Sequence, residues 1–205
     1  MNKWLINPFR YISGWPALFT GLAGIAVMSV ISTFTKTHLD GVIDVHYASS
    51  GDFTMFLSEN LITWGSLMLV YGIFGLAIAG RTFRFIDLAG YTAFIRLPFI
   101  IAVIFPFIFD GSAVANYIIY TFLNMGEPVE ISTMDVVWFI VMTLFTIGIV
   151  FWSMMWGYFA FKTLFNTKGL KAAALYFIVV LLSEAIVKAI LYLIYKPDFI
   201  VNIPT

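Results

Sequence analysis

"YISGWPALFTGLAGIAVMSVISTFT", residues 11–35, runs for 25 residues without one charged side chain. About 20 apolar residues in a helix cross the hydrocarbon of a bilayer, so this run is long enough to span it. A cleaved export signal would carry a shorter apolar stretch between a basic start and a small-residue cleavage site, so the run reads as a retained span. Pro16, just after Gly14 and Trp15, suits the first turn of a helix, where a missing amide donor costs nothing.

The same pattern recurs along the chain. Apolar runs predict spans at 17–34, 61–79, 88–109, 136–161 and 172–195. Composition agrees: 61% of the residues are hydrophobic and 11% charged, against about 45–50% and about 25% in soluble domains. A closed barrel would show alternating segments of about 10 residues in place of such runs. The expectation is an all-α polytopic bundle of five transmembrane helices forming one domain, 1–205, in a bilayer.

Charge is segregated between the loops. Lys3, Arg10, Arg81, Arg84, Lys162, Lys168 and Lys171 fall on one side of the spans with Asp87. Asp40, Asp44, Asp52, Glu59, Asp110, Glu127, Glu130, Asp135 and Asp198 fall on the other with Lys36 and Lys196. Basic residues are retained in the cytoplasm, which predicts a cytoplasmic N-terminus and a C-terminus outside. Short tails without a targeting segment suit a bacterial inner membrane.

Local signals mark the helix ends. Ser132 and Asp135 have the spacing of a capping box, and "FNTKGLK" supplies Asn166 and Gly169 for a tight turn joining spans four and five as antiparallel neighbours. Pro98 and Pro106 each remove a donor and clash with the preceding turn, so span three is kinked or broken. Gly21, Gly24, Gly72, Gly75 and Gly80 would let helices approach closely. Residues 113–126, too short to cross, suit a helix lying at the interface. Trp4, Phe9, Tyr11 and Trp15 suit headgroup depth.

Several function classes lack their residues. The chain has no cysteine, hence no disulfide, no thiolate nucleophile and no Cys-based metal site. It carries no HExxH, no GxSxG and no glycine-rich phosphate loop, and its aromatics have no basic groove beside them for nucleic acid. An enzyme is not expected, nor a cofactor. The first loop holds His38, Asp40, Asp44, His46 and Asp52, which are sound ligands for a divalent metal, but their spacing matches no defined site and a solvated acidic loop explains them equally.

Three charges remain inside spans: Arg96, Glu184 and Lys188. Each would cost on the order of 3 kcal/mol alone at mid-membrane, so partners are required. Glu184 and Lys188, four apart on one helix face, can pair with each other, and Arg96 can reach Glu184 if spans three and five adjoin, with Ser183 and Tyr192 adding hydrogen bonds. The result would be a buried polar cluster serving either register or ion passage.

"GRTFRFIDLAGYTAFIRLPFIIAVI", 80–104, resembles the Yip1 family: a basic loop with a glycine, then a small-residue and tyrosine segment ending in a proline within the third span. "WSMMWGYFAFKTLFNTKGLKAAAL", 152–175, is similar to that family's Trp-containing span and short glycine loop, and "NPFRYI" with "GWP" is similar to the start of its bacterial members. The resemblance implies five membrane helices with a cytoplasmic N-terminus. Eukaryotic members act in vesicle traffic and contact Rab-type small GTPases, whereas this chain has no acidic DLxGP-like segment ahead of span one. The expected function is that of a noncatalytic membrane-organising or adaptor protein working through another membrane protein or anionic lipid. The alternative is a small permease or ion-coupled transporter component using Arg96, Glu184 and Lys188.

Overall fold

The computed structural model describes residues 3–48, 50–80, 82–108, 112–124 and 126–201. Arg81, Phe109 and Asp110, used above in loops and at the end of span three, lie outside the described residues, as do the side chains of Lys3, Lys196 and Asp198.

The fold is all-α, with helices α1 (Lys3–Ile6), α2 (Gly14–Thr35), α3 (Phe53–Ala79), α4 (Phe85–Phe94), α5 (Phe99–Ile104), α6 (Ser112–Leu123), α7 (Thr133–Phe165) and α8 (Gly169–Val201). Five segments are long and apolar enough to cross a membrane: α2, α3, the pair α4 and α5 taken together over Phe85–Phe107, α7, and α8 to Tyr195. Large apolar side chains such as Phe34, Leu69, Phe151 and Leu193 are exposed along them, as a lipid-facing surface requires. The protein is an integral membrane protein.

Most spans outrun their apolar runs. Helix α3 starts two turns before residue 61 because Asp52 caps it, accepting from Met55 N at 2.8 Å, so Glu59 and Asn60 lie inside the bundle and not in a loop. The capping box before α7 is present, with Asp135 N donating to Ser132 Oγ and Ser132 N to Asp135 Oδ2. At 33 residues α7 is about 50 Å long against about 30 Å of hydrocarbon, so it tilts or projects.

Span three is broken, as its prolines require. Helix α4 ends at Phe94, residues 95–98 form tight turns, α5 follows, and Pro106 sits in a 3-10 turn, Phe105–Phe107. At the break Phe99 N donates to Arg96 O instead of Ile95 O, and Ser153 of α7 donates to the freed Ile95 carbonyl at 2.7 Å. A neighbouring hydroxyl thus restores the bond that Pro98 disturbs.

Close packing concentrates on α2 and α4. A Cβ on Gly21 would lie 2.6 Å from Ala93 Cβ, and one on Gly90 3.0 Å from Gly14 O. Gly24 and Gly75 also face neighbours closely, against Leu97 and Phe165, and Gly72 meets Leu88 only at 3.4 Å. Gly80 has no such neighbour; its φ of +61° ends α3, so it terminates a helix instead of admitting one.

Helices α7 and α8 meet near their shared turn, where Phe161 and Tyr176 rings lie 6.2 Å apart, while α8 otherwise packs chiefly along α3. Residues 4–10 do not all sit at the surface. Phe9 is buried against Tyr91, Phe94 and Trp156, and Leu5 O accepts from Trp152 and Trp156 at 2.9 and 2.8 Å.

Candidate functional site

Residues 36–52 are not a solvated loop. Lys36 caps α2 in the left-handed conformation, and the chain then forms a two-stranded antiparallel hairpin, β1 (Thr37–His38) and β2 (His46–Tyr47), with His38 opposite His46. Thr37, His38 and Leu39 are buried. The hairpin therefore folds back into one end of the bundle, and its polar backbone must find partners there.

The three intramembrane charges supply them. Arg96 is 2% exposed and stands at the break between α4 and α5, which aims it across the bundle. It donates to Leu39 O and Gly41 O, both at 3.2 Å, and to Asn60 Oδ1 at 3.0 Å, with Phe99 beneath it at 5.5 Å. Glu184 Oε2 accepts from Val42 N at 2.6 Å and Ile43 N at 3.2 Å. Lys188 Nζ lies 2.6 Å from Asp44 Oδ2 and 2.9 Å from Asp40 Oδ2.

The expected pairing is thereby corrected. Among the described residues Glu184 forms no ion pair with Lys188 or with Arg96. The 36–52 loop stands between the charges and takes each of them: its carbonyls bind the guanidinium, its amides the glutamate, its aspartates the ammonium. Ser183 Oγ is buried with no partner among the described residues, and Tyr192 is largely exposed.

The metal candidates divide. Asp40, Asp44 and His46 bring ligand atoms within 4.8 Å of one another, but the Lys188 ammonium bridges the two carboxylates, where a divalent cation would otherwise sit. Asp52 caps α3. His38 is turned away, with Nδ1 2.8 Å from Glu59 Oε1 and Nε2 3.0 Å from Ser50 O.

Charges in this cluster balance. The carboxylates of Asp40, 3.3 Å from Nδ1, and then Asp44, at 3.8 Å, outweigh burial and raise His46 from 6.5 to about 9, so it is cationic at neutral pH. Asp44 is held below the usual carboxylate range by His46 and, against partial burial, by Lys188. Burial works to raise Asp40, and the adjacent His46 and Lys188, at 3.3 and 2.9 Å, more than offset that. Arg96, Lys188 and protonated His46 thus face Asp40, Asp44 and Glu184. The remaining pair, His38 and Glu59, is joined by the 2.8 Å contact between Nδ1 and Oε1.

Glu59, Asn60 and His38 are the site residues that hydropathy hides. Glu59 and Asn60 lie just before the second apolar run, and the helix-capping character of Asp52 is the signal that places them within α3.

No family model, curated protein or solved structure matches this chain.

Proposed function

We propose that the protein is a noncatalytic membrane-organising or adaptor protein of the Yip1-like, bacterial type, acting through a membrane partner or anionic lipid. In this reading it sits in the inner membrane with a cytoplasmic N-terminus and the hairpin end outside. One observation carries it: Arg96, Glu184 and Lys188 are all spent on holding residues 39–44. Groups that must bind and release an ion cannot also be permanent anchors of the backbone. Seven basic residues and one acid in the segments 1–16, 80–87 and 162–171 support the orientation.

The test is reconstitution. Purified protein in proteoliposomes should pass neither protons nor cations under an imposed gradient, and Glu184→Gln should lower the melting temperature without creating flux. Gradient-driven flux by the intact protein would overturn the reading. Since the chain has no native cysteine, Thr163→Cys and Glu130→Cys labelled with an impermeant maleimide in intact cells decide the orientation. Labelling of Thr163→Cys but not Glu130→Cys would reverse it.

The carrier alternative retains one specific support. His38 and Glu59 are 5% and 2% exposed, Glu59 Oε2 has no partner among the described residues, and the His38 ring stacks on the half-exposed His46 ring at 5.0 Å. A proton held there has a neighbour leading outward. Glu59→Gln should abolish any proton flux if this pair carries it.

A further inference from the structure

We propose that the bundle end opposite the hairpin binds a phosphate group, presented by an anionic phospholipid at the membrane surface. The phosphate site stands on its own geometry, and its lipid form rests on the adaptor reading above.

A cavity of about 290 Å³ opens between the turn at residues 7–10 and the connection from α7 to α8, lined by Asn7, Arg10, Lys162, Thr163, Thr167 and Lys168, with no acidic residue. It is near the lower end of small-ligand pockets, roughly 300–1,000 Å³. Two features of the fold build it. The burial of Phe9 and the two indoles on Leu5 O fix residues 5–10, which delivers Asn7 and Arg10 to the rim. Asn166, with φ of 49°, ends α7 and turns Thr167 and Lys168 back over the opening.

The charge is uncompensated. Asp87 is the acid of this side, and it is already taken, by Arg84 at 2.6 and 2.9 Å and by Gly14 N at 2.8 Å. Among the described residues Arg10, Lys162 and Lys168 form no ion pair. Lys162 lies 5.2 Å over the Tyr158 ring, which holds its ammonium near the opening.

A second observation points to a ligand. Asn7 is 9% exposed, yet among the described residues its Oδ1 has no partner, and the buried Thr167 Oγ1 has none either. Buried polar atoms are nearly always bonded. Neither atom is open to water as it stands, so a phosphate oxygen would satisfy the Thr167 hydroxyl after rotation about χ1, and the Asn7 amide by presenting Nδ2 in place of Oδ1. The start of α8 at Gly169 adds free amides on the same side. Lysine near the end of α7 would be explained by the helix dipole alone, but that accounts for neither Arg10 nor the two unpartnered polar groups.

The test uses the full chain in nonionic detergent, titrated with dioctanoyl phosphatidic acid, dioctanoyl phosphatidylcholine and inorganic phosphate, with affinity read from the melting temperature. Phosphatidic acid should bind saturably and about tenfold more tightly than phosphatidylcholine, and Lys168→Gln or Arg10→Gln should weaken it by about tenfold, the loss of one charge-assisted hydrogen bond. Thr167→Val, which leaves the charge unchanged, should weaken it less but measurably. Should Arg10→Gln not fold, Lys168→Gln in the exposed turn decides alone. Saturable binding of inorganic phosphate without preference for phosphatidic acid would uphold the site and overturn its lipid form. No saturable binding of either, or affinities unchanged in Lys168→Gln and Thr167→Val, would overturn the site.

Discussion

The two ends of the bundle handle charge in opposite ways. At the hairpin end Arg96, Lys188 and His46 are matched by Asp40, Asp44 and Glu184, and backbone groups of residues 39–43 bond to Arg96 and Glu184, while Arg96 Nε and Asp40 Oδ1 have no hydrogen-bond partner among the described residues. At the other end, among the described residues, Arg84 alone has an acid, and Arg10, Lys162 and Lys168 stand around an open cavity. Buried charge is tolerable only when closed upon itself, whereas uncompensated charge at a membrane surface is available to an external anion. The comparison separates architecture from interface within one small protein.

Substitutions at the hairpin end should therefore cost stability, and the largest effect is expected at Arg96. Arg96→Met strands the Leu39 and Gly41 carbonyls and leaves the nearby Glu184, Glu59 and Asp40 without their central cation. It should destabilise by about 3–5 kcal/mol, the cost of breaking a buried charged network, seen as a lower melting temperature in detergent and faster proteolysis within residues 36–52. A melting temperature equal to that of the unaltered chain would break the contrast between the ends. Next comes Glu184→Gln, which keeps the shape but weakens the bonds to Val42 N and Ile43 N. Hydrogen bonds to a charged group contribute about 1.5–3 kcal/mol, so a loss within that range is expected by chemical denaturation.

Gly41→Ala probes the same contact sterically. Its Cβ would run into Glu184 Oε1 and lie 2.8 Å from Asp44 Cβ, and overpacking of this kind costs about 1–3 kcal/mol. Calorimetry of the variant should show the loss, and pairing it with Glu184→Gln should give less than the sum of the two.

The smallest effect is the pH dependence of His46, half exposed and screened by solvent. Its folded value is raised from 6.5 to about 9, so its contribution is fully present below pH 6.5 and is lost as pH rises through about 9. Asp40 and Asp44 act in the opposite direction. Held below 3.8, they contribute above that pH and lose it as the solution is acidified through their lowered values. Melting temperatures should accordingly decline on the alkaline side, and His46→Gln should flatten that decline without altering the acid limb's direction.

Much of this fold is legible in hydropathy because lipid demands long apolar helices and little else does. The five crossings, the break at Pro98, the Ser132 box and the Asn166 turn each follow from local chemistry. What local chemistry cannot see is exchange of partners across the chain. Glu184 and Lys188 have the spacing of an intrahelical pair, but residues 40–44, distant in sequence, offer each of them a better ligand. Glu59 has the look of a loop acid only because its partner, His38, comes from a hairpin that no apolar period announces. Phe9, similarly, has the composition of a surface anchor and the position of a core side chain.

The double indole contact on the Leu5 carbonyl has a practical corollary. Trp4 lies edge-on to Trp156 at 6.1 Å, so three of the six tryptophans of the chain gather where the leading peptide docks. Lifting that peptide would strip both indole donors of their acceptor at once and wet the rings together. Emission colour is thus an intrinsic, label-free gauge of whether the foot of the molecule is seated.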